Sequence, residues 1–231
     1  MTSQPTPFVI AIDGPSGSGK SSVSRSVATH LGAGYLDTGA MYRALTWWCR
    51  ESGVDLGDAQ AIIAASEAMP LEIGDDPQAP TVHVDGTDIA AAIRTSEISG
   101  QVSTVATVPE VRTEMQRRQR ELIEDIAARR GACVAEGRDI TTVVAPDAPV
   151  RILLTASEEA RLRRRSLEVH GASDEAAIDA TRDQIVRRDR DDSTVSQFTV
   201  AADGVVVVDT SDLDFEGSVD AVMAVVVTRQ G

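Results

Sequence analysis

Lysine is nearly absent from this chain. It carries 22 basic residues, and every one except Lys20 is an arginine. Cysteine is scarce too. The two present, Cys49 and Cys133, stand in apolar surroundings and read as buried free thiols. The three histidines, His30, His83 and His170, lie far apart and lack metal-ligand spacing, which argues against a structural zinc site. No apolar run approaches the roughly 18 residues that a bilayer span needs, so no membrane partner is expected. The opening "MTSQPTP" lacks the basic and apolar regions of a signal peptide and reads as a short loose tail. A cytoplasmic protein is the expectation.

Net positive charge is also missing. A formal charge of −14 argues against a nucleic-acid polymer as partner, because such binders normally present a basic surface. The arginines nevertheless cluster, as "RRQR" at 117–120, "RLRRR" at 161–165 and "RRDR" at 187–190. One such cluster suits a solvated helix face. Three in an acidic protein point to a local anionic ligand. At 231 residues, 42% apolar and 25% charged, the chain has the length and composition for one sizeable core.

Along the chain, apolar runs alternate with helical patterns. "FVIAIDG" (8–14) reads as a strand buried on both faces. "KSSVSRSVATHL" follows as an amphipathic helix with Val23, Val27 and Leu31 at four-residue spacing. "GYLDTG" reads as a short strand and turn, and "AMYRALTWWCRESG" as a helix closed by Gly53. From 59 to 95 the character changes: a short helix precedes "LEI" and "TVHVDG", small antiparallel strands around a Pro/Asp/Gly-rich turn. Helices are expected over about 96–107 and 110–130, with Pro109 in the first turn of the second. "ACVAEG", "VRILLTA" and "GVVVVDTS" supply three more buried strands. Arginine-rich helices are expected over about 157–170 and 174–192, and a last helix over about 215–229. The pattern predicts an α/β protein, a three-layer open parallel sheet of about five strands with helices on both faces.

The lone lysine stands in "GPSGSGKSS". Gly14, Gly19, Lys20 and Ser21 complete G-x-x-x-x-G-K-[ST], with a buried strand before it and a helix after it. Glycines let successive backbone N–H groups turn toward a phosphate, and the helix N-terminus adds positive potential. Lysine brings a point charge on a flexible stem, where the wide planar fork of arginine is a poor substitute. Ser21 or Ser22 can place a hydroxyl on Mg²⁺. The chain therefore reads as a nucleoside-triphosphate binder.

That leaves a hydrolytic switch or motor, and a kinase acting on a small acceptor. A base-reading N/T-K-x-D cannot exist without a second lysine, and only "CVAEG" approaches a motor's apolar-run-plus-Asp-Glu box. A kinase needs a second anionic pocket, which the arginines can build. "LDTGAMYRA" sets Asp37, Thr38, Tyr42 and Arg43 at the end of the second strand, where parallel-sheet ligands bind. "AEGRD" sets Arg138 and Asp139 just past the third, and an arginine there is costly without an anionic partner.

With "IDGPSGSGKSS", "LDTGAMYR", "IRTSEIS", "VRTEMQRRQR", "EGRDITTVVAPDAPV", "RRDRDDS" and "AADGVVVVDTS", the chain resembles the bacterial cytidylate kinases over nearly its whole length. The resemblance implies a single P-loop kinase domain (1–231), an acceptor-binding insertion at 59–95 and a short lid at 157–192. It implies ATP as co-substrate with Mg²⁺, CMP or dCMP as acceptor, and a monomer. Gly14, Pro15, Ser16, Gly17, Ser18, Gly19, Lys20, Ser21 and Ser22 would hold the ATP phosphates. Arg43 and Arg138 would hold the acceptor's phosphate, and Thr38 and Tyr42 would be among the substrate-binding residues, although Tyr42 is as well suited to packing. Ser103, Arg112 and Asp139 would read the cytosine, and Arg188 with Asp192 the sugar. Lys20, Arg138, Arg161 and Arg165 would neutralise the transferring phosphoryl group. A carboxylate beside an arginine suits cytosine's amine donor and its ring acceptors. Kinases of another acceptor, such as UMP or shikimate, and a binding module without catalysis are the alternatives.

Two departures from the family stand out. Glu136 replaces the aspartate of "DGRD" and can still serve Mg²⁺ through water. The arginine expected shortly after "DS" is missing, with Val195 at that register. Arg190 lies two residues from Arg188 and points elsewhere on a regular helix, so Arg161 and Arg165 are expected to carry the larger share of charge neutralisation.

Overall fold

Ile10 and Ile12 join one apolar cluster and the intervening Ala11 joins another, and this alternation divides the molecule into layers. A computed structural model describes residues 8–170, 182 and 189–230. In chain order the elements begin with β1 (Phe8–Asp13), α1 (Lys20–Leu31), β2 (Gly34–Asp37), α2 (Thr38–Glu51) and α3 (Ala59–Ala68). The short strands β3 (Leu71–Ile73), β4 (Val82–Val84) and β5 (Thr87–Asp88) come next, then α4 (Ser96–Ala106) and α5 (Pro109–Arg130). The chain continues with β6 (Ala132–Gly137), β7 (Val150–Thr155), α6 (Glu158–His170), β8 (Val206–Asp209) and α7 (Phe215–Gln230).

The parallel sheet runs β2–β6–β1–β7–β8. The expected three-layer open α/β fold with five strands is present. On one face Ile10, Ile12 and Val134 pack against Val23 and Val27 of α1 and Val222 and Val226 of α7. On the other, Ala11, Leu36 and Ala135 meet residues of α2, α4 and α5. Residues 59–95 fold as α3 and a separate antiparallel sheet, β3–β4–β5. Ile62, Val82, Val84 and Ile93 continue the second layer's core, so this segment has no core of its own.

The turn expected after "GYLD" is absent. Asp37 instead caps α2 directly, its Oδ1 accepting the Ala40 N–H at 2.8 Å, so strand passes into helix without a loop. Of the second arginine-rich helix only 182 and 189–193 are described, and they are helical. Arg188 lies outside the described residues. Both cysteines are free and buried, and burial pushes the Cys49 thiol up to about 11 and the Cys133 thiol up to about 12. Among the described residues no helix is long and apolar enough to cross a membrane.

Candidate active site

The glycine-rich loop between β1 and α1 is held where its sequence requires. A Cβ on Gly14 would sit 2.1 Å from the Leu154 carbonyl oxygen of β7, so only glycine lets the loop leave the sheet there. Gly17 has φ +76°, and its Cβ would lie 2.7 Å from the Arg161 carbonyl oxygen. Gly19 is the N-cap of α1, which aims the helix N-terminus into the loop. Lys20 Nζ lies 3.2 Å from Glu136 Oε2. Ser21 Oγ donates to Glu136 Oε1 at 2.5 Å, and the Tyr35 hydroxyl donates to the same oxygen at 3.1 Å. Burial, and then the Glu136 charge, push the Tyr35 phenol well above its usual range. Ser22 makes none of these contacts and is exposed, so Ser21 is the serine placed among the oxygen donors.

The strands end together, with Asp13 opposite Gly137, and the acceptor-side residues extend from those ends. Thr38 donates its hydroxyl to the Glu136 carbonyl at 2.8 Å. Arg43 pairs with Asp37 at 2.7 Å. Burial alone would raise the Asp37 carboxyl, but Arg43, the Ala40 N–H, Arg94 and Lys20 hold it below its usual range. Arg138 donates to Ser16 Oγ at 2.7 Å and pairs with Asp189 at 2.9 Å and Asp192 at 3.1 Å. Its guanidinium carbon also sits 4.1 Å from the centre of the Phe198 ring. Asp139, next in sequence, accepts from Arg112 and Gln116. Ser103 Oγ lies 3.5 Å from Asp192 Oδ1. One cavity of about 410 Å³ runs from Lys20, Ser21 and Glu136 to Arg43, Arg112 and Asp139.

Most of the residues singled out in the sequence line this cavity: Pro15, Ser16, Gly17, Gly19, Lys20, Ser21, Ser22, Thr38, Tyr42, Arg43, Arg112, Arg138, Asp139, Arg165 and Asp192. Gly14, Ser18, Ser103 and Arg161 do not. Arg161 and Arg165, paired by spacing, have different surroundings. Arg165 reaches the cavity wall, whereas Arg161 donates to Asp189 Oδ2 at 2.5 Å and to the Ser16 carbonyl at 3.0 Å. Tyr42 both packs in the core and borders the cavity.

Four participants escaped the sequence reading. Asp13, buried at the end of β1, accepts from the N–H groups of Ile140 and Thr141 and from the Thr141 hydroxyl. It thereby ties the start of the phosphate loop to the turn after Arg138 and Asp139. Its place directly before Gly14 was the available signal. Gln116 stands four residues after Arg112, a helical spacing that could have revealed it. Asp189 Oδ1 accepts the Ser16 N–H at 3.1 Å. Burial would raise its carboxyl, but Arg138, the Ser16 N–H and Arg161 hold it below the usual range. Phe198, in the stretch where the family's arginine is missing, had no signal at all.

The fold and its loop define a P-loop nucleotide-binding protein. The family model described as cytidylate kinase matches residues 10–228. A cytidylate kinase of Nocardia farcinica is 49% identical over 228 residues, 97% of this chain and 95% of its own. One of Streptomyces avermitilis is 48% identical over 219 residues, 94% of this chain and 92% of its own. One of Cutibacterium acnes is 47% identical over 222 residues, covering 96% of each. The chain belongs to the cytidylate kinase family.

Proposed function

We propose that this chain transfers the γ-phosphoryl group of ATP to CMP or dCMP, giving ADP and CDP or dCDP. The observation that carries this reading is the single cavity joining a phosphate cradle to an acceptor pocket built from Arg43, Arg112, Arg138 and Asp139. An oxygen of the acceptor phosphate attacks the γ-phosphorus, and the bond to the β–γ bridging oxygen breaks, leaving its electron pair on ADP. The protein has little covalent work in such a transfer, so positioning and charge neutralisation dominate.

Lys20 is placed for the β- and γ-phosphates, at the cost of its present pair with Glu136. Arg43 and Arg138 face the acceptor phosphate, and Arg165 adds positive charge from α6. Ser21 and Glu136 present hard oxygen donors beside Lys20 and would hold Mg²⁺ there. When bound, the ion supplies screening of the charge shared by the β- and γ-phosphates. Asp139 offers an acceptor to the cytosine amine, with Arg112 beside it. Residues 59–95 serve as the acceptor-side insertion and 157–192 as the lid. The proposed active unit is a monomer.

A coupled assay of ADP release tests the reading. Release that depends on CMP supports transfer, whereas ATP binding with no CMP-dependent release points to a binding module.

A further inference from the structure

Asp139 has two chemically equivalent oxygens, and the structure treats them differently. Oδ2 accepts from Arg112 at 2.5 Å and from the Gln116 side-chain amide at 2.8 Å. Among the described residues nothing donates to Oδ1. Asp139 is 5% exposed, and what it exposes borders the cavity. Arg112 could grip both oxygens, because a guanidinium and a carboxylate readily form two parallel hydrogen bonds. Here its other terminal nitrogen is drawn away to the Ala106 carbonyl at 3.2 Å. Gln116, one turn further along α5, adds a second donor to the same oxygen.

We propose that Gln116 is a positioning residue for base selectivity: its amide fixes the Asp139 carboxylate by Oδ2 and, with the other Arg112 nitrogen held by the Ala106 carbonyl, leaves Oδ1 for the acceptor's exocyclic amine. This rests on the reading of Asp139 as the group that meets the base. Without Gln116 the carboxylate is held by Arg112 alone and turns more freely about its Cβ–Cγ bond, so Oδ1 is presented less firmly and a base carrying an amine loses part of its advantage over one carrying a carbonyl. ATP, at the other end of the cavity, gains or loses nothing.

The test compares Gln116→Leu and Gln116→Glu with wild type for kcat/KM on CMP and UMP, for ATP affinity and for melting temperature. Gln116→Leu removes the donor at similar bulk. Gln116→Glu keeps the shape and sets a second carboxylate against Asp139. The CMP-to-UMP ratio should fall about three- to tenfold in the leucine variant, the net worth of one ordinary hydrogen bond. It should fall further in the glutamate variant, with ATP affinity unchanged in both. Equal losses on CMP and UMP would make Gln116 a structural prop and overturn the proposal. Asp139→Ala separates the two claims. If it collapses the ratio while both Gln116 variants keep it, only the role of Gln116 falls. If it leaves the ratio intact, the reading of Asp139 falls and the proposal with it.

Discussion

Lys20 Nζ lies 3.2 Å from Glu136 Oε2, and the two side chains are only 12% and 4% exposed. The only lysine of the chain is thus held by a carboxylate on the neighbouring strand, beside the hydroxyls of Ser21 and Tyr35. In the proposed function, a triphosphate replaces Glu136 as the partner of the ammonium.

Lys20→Met should lower kcat about a hundredfold or more, the scale seen when one preorganised charge facing a transition state is lost. Lys20→Arg should recover little, because the planar fork does not replace a compact ammonium. Circular dichroism should show the fold unchanged. A methionine variant within tenfold of wild type would contradict the role given to Lys20.

Arg165 and Arg190 separate in a second experiment. Arg165→Ala should reduce kcat at least about tenfold, because its side chain borders the cavity. Arg190 is exposed and pairs with its neighbour Asp191 at 3.4 Å, so Arg190→Ala should change kcat little. A larger loss from Arg190→Ala in steady-state assays would contradict the role given to Arg165.

The sheet was legible because each of its strands is a short apolar run bounded by turn residues, and the phosphate loop because its motif spans contiguous residues. Contacts formed across the fold were not. Asp13 meets Thr141, and Ser16 meets Asp189, only after strands distant in sequence have paired. Spacing alone joined Arg161 to Arg165, but α6 passes close to the loop at Gly17, and there Arg161 is captured by the Ser16 carbonyl and Asp189. α2 starts earlier than its apolar spacing predicts for a local reason: Asp37, a candidate ligand residue by position, also caps the helix.

Asp13 gives the fold a pH signature. Burial, the largest influence, outweighs its hydrogen bonds with Thr141 and Ile140 and raises its carboxyl from 3.8 to about 6. The folded protein therefore holds this proton more tightly than the unfolded chain. The resulting stabilisation is complete below about pH 4, declines as pH rises through 6 and is gone above it. Glu114, held down to about 2 chiefly by Arg117, has the opposite dependence, losing its stabilisation only below its unfolded value of 4.5. The range between about pH 4.5 and 6.5 thus isolates Asp13. In thermal melts, wild type should gain stability relative to Asp13→Asn as pH falls through that range. A difference that stays constant or shrinks on acidification would show that Asp13 titrates in its ordinary range.

Acceptor selectivity tests the central claim most directly, because the account places base recognition in one carboxylate. The measurement is kcat/KM for CMP, dCMP, UMP and AMP, with wild type and Asp139→Ala. Wild type should use CMP and dCMP and discriminate against UMP, whose carbonyl leaves Asp139 Oδ1 without a donor. The alanine variant should lose about ten- to a hundredfold on CMP, the value of a buried hydrogen bond to a charged group, and far less on UMP. Equal use of UMP and CMP by wild type, or equal losses on both in the variant, would contradict the account.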